Sequence, residues 1–157
     1  MTVQTDDSTS VRTSIDVAAP PERAFAVFTE GLDTWWPRTH HVQSGELKRV
    51  WMEPRVGGGL WEENDAGDSC AWGRVLEWDP PRVFAFSWLI GTDWAPPAPG
   101  APGSRVTVTF TPAAAGTRVE LVHDRLDVHG DDWRAMRDAV ASEGGWPQGL
   151  KLFADAV

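Results

Sequence analysis

Three polar side chains fall on predicted strands at positions from which they could act on a bound molecule: His123, Arg74 and Glu62. His123 is in phase with the apolar residues Val119 and Leu121, so we expect it to point inward. A pocket histidine can act as a general acid or base near neutral pH. A lone inward histidine can equally be a structural hydrogen-bonding residue, and the sequence leaves both roles open.

Arg74 shares an alternating face with Trp72, and burial there would require a partner because an unpaired buried charge is costly. Glu62, Glu120 or a ligand carboxylate could serve, since arginine holds a carboxylate with two parallel hydrogen bonds. If the strand phase is reversed, Arg74 lies in solvent instead, because a one-residue slip exchanges the two faces. Arg74 and Glu62 are therefore candidate catalytic residues together with His123.

The other reactive residues indicate little chemistry. His40 and His41 are adjacent in a loop, so their rings point in different directions and a metal would need further ligands. The single cysteine, Cys70, has no basic neighbour or helix N-terminus to stabilise a thiolate. The chain has no nucleophile elbow, zinc-protease motif, P-loop or dinucleotide-binding motif. The sequence predicts neither a metal site nor a cofactor.

The elements that must position these residues follow from hydrophobic periodicity. Two short helical segments follow the first strand, one opening at Pro20-Pro21-Glu22 and one at Leu32–Trp36. The last segment is a helix from Asp131 onward, interrupted at Gly144-Gly145-Trp146-Pro147. The predicted strands are Val11–Val17, Lys48–Glu53, Gly59–Glu63, Ser69–Trp78, Arg82–Ile90, Arg105–Thr111 and Thr117–Leu126.

Consecutive strands require an antiparallel sheet, and only the C-terminal helix is long enough to cover its apolar face. The prediction is an α+β fold in which a curved sheet wraps around that helix and leaves an internal cavity between them. Residues 1–10 are predicted to be a disordered tail and residues 11–157 a single domain. The proline-rich loop Gly91–Gly103 is either a lid that contacts the cavity through Trp94 or a disordered insertion.

Aromatic residues dominate the predicted inner faces. The chain has ten tryptophans and no tyrosine. These side chains could simply pack as core, but their excess favours a cavity for a flat apolar ligand, since aromatic rings prefer offset or edge-to-face contacts. The predicted ligand-binding residues are Trp72, Arg74, Leu76, Trp78, Phe84, Phe86, Trp88, Phe110, Leu121, His123, Trp133, Met136, Trp146 and Leu150.

The charge balance excludes several partners. The net charge of −9 opposes binding to nucleic acid and to anionic membranes, because both depend on Lys and Arg. No apolar run approaches the roughly 18–20 residues that span a bilayer. The N-terminal segment lacks the charged-then-apolar pattern of a signal peptide. We expect a soluble cytoplasmic protein.

Several sequence blocks together resemble a known family across nearly all of residues 11–157. They are Val17–Phe25, Glu53–Gly59, Trp72–Arg82, Phe86–Trp88, Gly116–His123 and the pair Gly145-Trp146. The chain resembles the START/Bet v 1-like (SRPBCC) superfamily. Within it, the chain is most similar to the branch of activator of Hsp90 ATPase homologue 1-like proteins. The resemblance implies a helix-grip fold.

The resemblance also implies a range of functions. Relatives bind apolar small molecules, act as polyketide cyclases or aromatases, or stimulate Hsp90 in a stress response. Our first expectation is binding of a small hydrophobic, aromatic molecule in the cavity. The alternatives are a cofactor-free cyclase or hydrolase that uses His123 and Arg74 with a carboxylate, and an interaction module with an exposed patch around Trp35, Trp36 or Trp94. The protein partners that we consider are an Hsp90-type chaperone and a second copy of the chain.

Overall fold

Seven antiparallel strands form one sheet in a computed structural model that describes residues 9–157. The sheet order is β1-β7-β6-β5-β4-β3-β2, so consecutive strands from β2 to β7 are hairpin neighbours and β1 closes on β7. Of the predicted disordered tail, only residues 9 and 10 lie within the described residues. The strands are β1 Val11–Val17, β2 Leu47–Met52, β3 Gly59–Asn64, β4 Ser69–Asp79, β5 Val83–Trp88, β6 Ser104–Ala113 and β7 Gly116–Asp124.

Two short helices follow β1, α1 Pro21–Thr29 and α2 Leu32–Trp35. The C-terminal helix is bent into two parts, α3 Trp133–Ala141 and α4 Trp146–Ala156, and a 3-10 turn at Leu126–His129 precedes it. This architecture confirms the predicted α+β helix-grip fold.

The break between α3 and α4 has a steric cause at Gly145. A Cβ atom at this position would lie 2.3 Å from the carbonyl oxygen of Val140, so only glycine permits this approach of the two helices. Pro147 then stands in the first turn of α4, where a missing N–H costs no hydrogen bond. The predicted interruption of the helix is confirmed, and it creates a recess between α3 and α4.

The core lies between the concave face of the sheet and helices α1, α2 and α4. Phe153 of α4 is fully buried, and its ring contacts Phe28 at 5.1 Å and Trp35 at 5.8 Å between ring centroids. Phe28 in turn contacts Phe84 and Phe110 of the sheet. The aromatic residues therefore join the helices to the sheet through edge-to-face contacts.

Strand β4 contains two bulges, which turn two residues to the face opposite the predicted one. Its pairing with β3 shifts at Trp72, and its pairing with β5 shifts at Leu76. Each bulge reverses the alternation, so Trp72 and Trp78 at the two ends keep their predicted face while the residues between them do not. Arg74 is exposed and donates to the Gly57 carbonyl oxygen at 3.1 Å.

The predictions that Arg74 and Leu76 face the cavity are therefore wrong. Leu76 is 40% exposed, which also means that a larger side chain at this position cannot fill the cavity. Neither Glu62 nor Glu120 is the partner of Arg74, whose guanidinium contacts a backbone carbonyl instead.

Candidate functional site

A pocket of about 390 Å³ opens between the α3–α4 break and one end of the sheet. The loop after α2, strands β3 and β4, the end of β5 and the loop after it complete its wall. The residues that line it are Trp36, Pro37, Thr39, His40, His41, Val42, Glu62, Trp72, Trp88, Ile90, Trp94, Ala139, Val140, Ser142, Gly144, Gly145, Trp146 and Gly149.

Five indole rings form the apolar part of this wall. Trp36 stacks on Trp72 with ring centroids 5.0 Å apart, and Trp146 meets Trp88 edge to face at 5.6 Å. The indole N–H of Trp36 donates to the His40 carbonyl oxygen at 2.8 Å. Ring contacts thus join four of the five indoles, Trp36, Trp72, Trp88 and Trp146, into one continuous aromatic wall. Trp94 of the proline-rich loop Gly91–Gly103 lines the pocket and is 43% exposed.

Only part of the predicted ligand-binding set lines this pocket. Trp72, Trp88 and Trp146 do, and so does the candidate catalytic residue Glu62. Trp133 is partly buried on α3, where its ring lies against two arginine side chains. The remaining predicted residues belong to the core around the pocket and do not line it: Trp78, Phe84, Phe86, Phe110, Leu121, His123, Met136 and Leu150.

Several loop and helix residues that line the site were not among the predicted ligand-binding residues: Trp36, His40, His41, Ile90, Val140 and Gly149. Loop residues have no hydrophobic periodicity, so the sequence pattern does not indicate which of them face a cavity. The available signal was composition, because Trp35-Trp36-Pro37 and His40-His41 put aromatic and titratable residues in one short segment. Trp35 and Trp36 are 4% and 8% exposed, so they do not form the expected surface patch.

His123 is fully buried behind the pocket wall and holds one of its tryptophans. The Trp146 indole N–H donates to His123 Nδ1 at 3.1 Å. Since an indole nitrogen can only donate, Nδ1 carries the lone pair and Nε2 carries the hydrogen. Nε2 then donates to Ser104 Oγ at 2.8 Å, and that hydroxyl donates to His129 Nε2 at 2.7 Å.

Burial, followed by the nearby His129, lowers the pKa of His123 from 6.5 to about 3. The imidazole is therefore neutral near pH 7 and its two nitrogens are both hydrogen-bonded. This arrangement matches the structural alternative for His123, in which the ring is a satisfied hydrogen-bonding residue. Burial also lowers the pKa of His129.

Glu62 is 3% exposed and uses both carboxylate oxygens on backbone amides. Oε1 accepts from the Val42 N–H at 2.9 Å, and Oε2 accepts from the Gln43 N–H at 3.0 Å. These bonds tie the loop after α2 to β3. Burial, followed by the charge of Glu62, raises the pKa of the Cys70 thiol to about 11, so this thiol is protonated at neutral pH.

Among residues 9–157 the structure has no helix long and apolar enough to cross a membrane. In the same range, no three side chains of His, Cys, Asp or Glu are grouped so that they could hold a metal ion.

Comparison with known proteins finds one family and many structures of the same fold. The family profile described as activator of Hsp90 ATPase homolog 1-like protein matches residues 18–157. The anthrahydroquino-gamma-pyrone synthase Txn09 is 38% identical with a TM-score of 0.67, and the match covers 94% of this chain and 96% of Txn09. No protein of curated function matches the chain.

Two further structures show the same fold at lower identity. The self-sacrificing resistance protein CalC from Micromonospora echinospora is 27% identical with a TM-score of 0.68, covering 95% of this chain and 94% of CalC. Protein NE0264 from Nitrosomonas europaea is 15% identical with a TM-score of 0.66, covering 94% of this chain and 93% of that protein, and this likeness concerns the fold alone.

Proposed function

The chain belongs to the activator of Hsp90 ATPase homolog 1-like family, and we propose that it binds a flat aromatic molecule of several rings in the tryptophan-lined pocket. The observation that carries this proposal is the pocket of about 390 Å³ with five indole rings in its wall. Small-molecule sites are commonly concave, mostly apolar and about 300–1,000 Å³ in volume. A planar ring system can lie between indoles in the offset or edge-to-face geometry that aromatic rings prefer.

The arrangement of polar groups supports one orientation for the occupant. His40, His41 and Glu62 lie on the side formed by the loop after α2 and by β3, whereas Trp88 and Trp146 lie on the side of β5 and α4. A mostly apolar pocket with a few placed polar groups holds the ring system by burial and sets its direction by hydrogen bonds. The name of the 38% identical synthase Txn09 refers to an anthrahydroquino-gamma-pyrone, which is a compound of this chemical class.

The test begins with native mass spectrometry of freshly purified protein, repeated after denaturation. We expect an added mass of a few hundred daltons that is lost on unfolding. The same purification is then made with Ile90→Trp, which enlarges a buried residue of the pocket wall. Leu76→Trp is the matched control, because it places the same indole on the outside of the sheet.

Loss of the added mass in Ile90→Trp but not in Leu76→Trp would support binding in this pocket. If no compound is retained, both variants are instead titrated with 2-naphthol and with anthraquinone, and binding is followed by tryptophan fluorescence. Equal affinity of both variants for every compound would refute the proposal.

A second candidate function, a cofactor-free cyclase, is favoured by the 38% identity to the synthase Txn09. His123 and Arg74 do not suit this role, because His123 lies behind the wall with both nitrogens bonded and Arg74 is on the outer face. The pocket offers His40 and His41 in their place. The test is incubation of the retained compound with the protein, followed by liquid chromatography and mass spectrometry. A ring-closed product would support the cyclase, and recovery of the unchanged compound would exclude it.

The Hsp90-type partner, the homodimer, the single-domain organisation and the cytoplasmic location stay predictions. Pull-down with Hsp90 and analytical ultracentrifugation test the first two directly.

A further inference from the structure

His41 is one of the residues that line the pocket, and one of its two ring nitrogens has a hydrogen-bond partner. Its Nδ1 lies 2.9 Å from the carbonyl oxygen of Gln43. A carbonyl oxygen can only accept a hydrogen bond, so Nδ1 must carry the hydrogen. In the neutral ring the lone pair is then on Nε2, which makes no hydrogen bond to any residue between 9 and 157. A residue that lines the pocket thus has one ring nitrogen whose lone pair has no partner among residues 9–157.

The carbonyl group that selects this tautomer is held by Glu62. Both oxygens of the buried Glu62 carboxylate accept backbone N–H groups, one from Val42 and one from Gln43. The Gln43 side-chain amide also donates to the Asp68 carbonyl oxygen at 3.0 Å. Hydrogen bonds to a carboxylate are stronger than those between neutral groups, so residues 42 and 43 are held firmly against β3.

We propose that His41 Nε2 accepts a hydrogen bond from a hydroxyl group on the bound aromatic molecule, and that Glu62 is the positioning residue that keeps this acceptor in place. The inference rests on the proposed function and narrows it, because it makes the occupant a phenol-type compound. An oxygen without a hydrogen, as in an ether, would place acceptor against acceptor and leave Nε2 unpaired. The wall therefore selects against such ligands as well as for phenols.

The experiment compares two probes of similar shape, 2-naphthol and 2-methoxynaphthalene, whose dissociation constants are measured by isothermal titration calorimetry. One hydrogen bond contributes enough to make 2-naphthol about fivefold tighter in the wild-type protein. In His41→Phe we expect the ratio of the two constants to fall to about one. His40→Phe removes the neighbouring imidazole of the same wall and tests whether that ring is responsible for the ratio instead. Leu76→Trp, on the outside of the sheet, is the control and should keep the ratio.

Glu62→Gln tests the positioning role separately. Glutamine puts an N–H₂ group against one of the two backbone N–H groups, so the loop loses a hydrogen bond and gains a repulsive contact. Nitrogen-15 NMR of the His41 ring should show hydrogen on Nδ1 in the wild type and a mixture of tautomers in the variant. A merely structural role for Glu62 would lower the melting temperature and leave the tautomer of the folded protein unchanged.

The outcomes separate this inference from the proposed function. Equal affinity of the wild type for both probes, with both weakened by Ile90→Trp, would overturn the role of His41 and leave pocket binding intact. Loss of the ratio in His40→Phe but not in His41→Phe would likewise overturn it. Binding that Ile90→Trp does not weaken would refute the pocket proposal itself, and with it this inference.

Discussion

Acid should destabilise this protein through the buried imidazole of His123. The unfolded chain binds a proton on this ring below pH 6.5, whereas burial lowers the pKa in the folded state to about 3. Between these two values the unfolded state carries a proton that the folded state does not. The free energy of unfolding is therefore at its full value above pH 6.5 and decreases as the pH falls toward 3.

The decrease in the free energy of unfolding at pH 5 depends only on the pKa of His123 in the unfolded state. At that pH the folded ring is still neutral, and the solution is about 1.5 units below the unfolded value, at about 1.4 kcal/mol per unit. The expected loss from His123 between pH 8 and pH 5 is thus about 2 kcal/mol.

The assay is urea unfolding at pH 8 and pH 5, followed by circular dichroism, for the wild type and His123→Gln. Glutamine can accept from Trp146 and donate to Ser104 without titrating, so the variant should lose about 2 kcal/mol less than the wild type between these pH values. His40 and His129 also have lowered pKa values from burial, and comparing the two proteins cancels their contribution. An equal pH dependence in both proteins would refute the reasoning.

Two further predictions concern a glycine and the cysteine. Gly149→Ala should raise the free energy of unfolding by about 1 kcal/mol, because alanine favours the helix. The new Cβ would meet ordinary contacts at 3.6 Å and 3.8 Å, whereas the control Gly145→Ala would clash with the Val140 carbonyl and should destabilise; urea unfolding checks both. Cys70, with its pKa raised to about 11, should react with iodoacetamide at pH 7.5 about 100-fold more slowly in the folded protein than in urea. Equal rates would contradict this.

The fold could be predicted because its signals are local. The predicted bounds of β1 match the structure, and Gly145 and Pro147 interrupt the last helix where expected. Alternation with period two and the special backbone of glycine and proline are properties of short segments, so a single sequence displays them. The order of seven strands and a C-terminal helix then leaves few ways to cover one apolar face.

The pocket was decided by contacts between distant segments. The two bulges of β4 arise from its pairing with β3 and β5, and they turned Arg74 and Leu76 outward against a regular local pattern. Glu62 accepts hydrogen bonds from backbone amides about twenty residues earlier in the chain, and these bonds join the loop that contains His41 to β3. Composition alone determined that this chain is rich in indole rings. Which of them line a cavity and which fill the core followed only from tertiary packing, because burial depends on neighbours that periodicity does not identify.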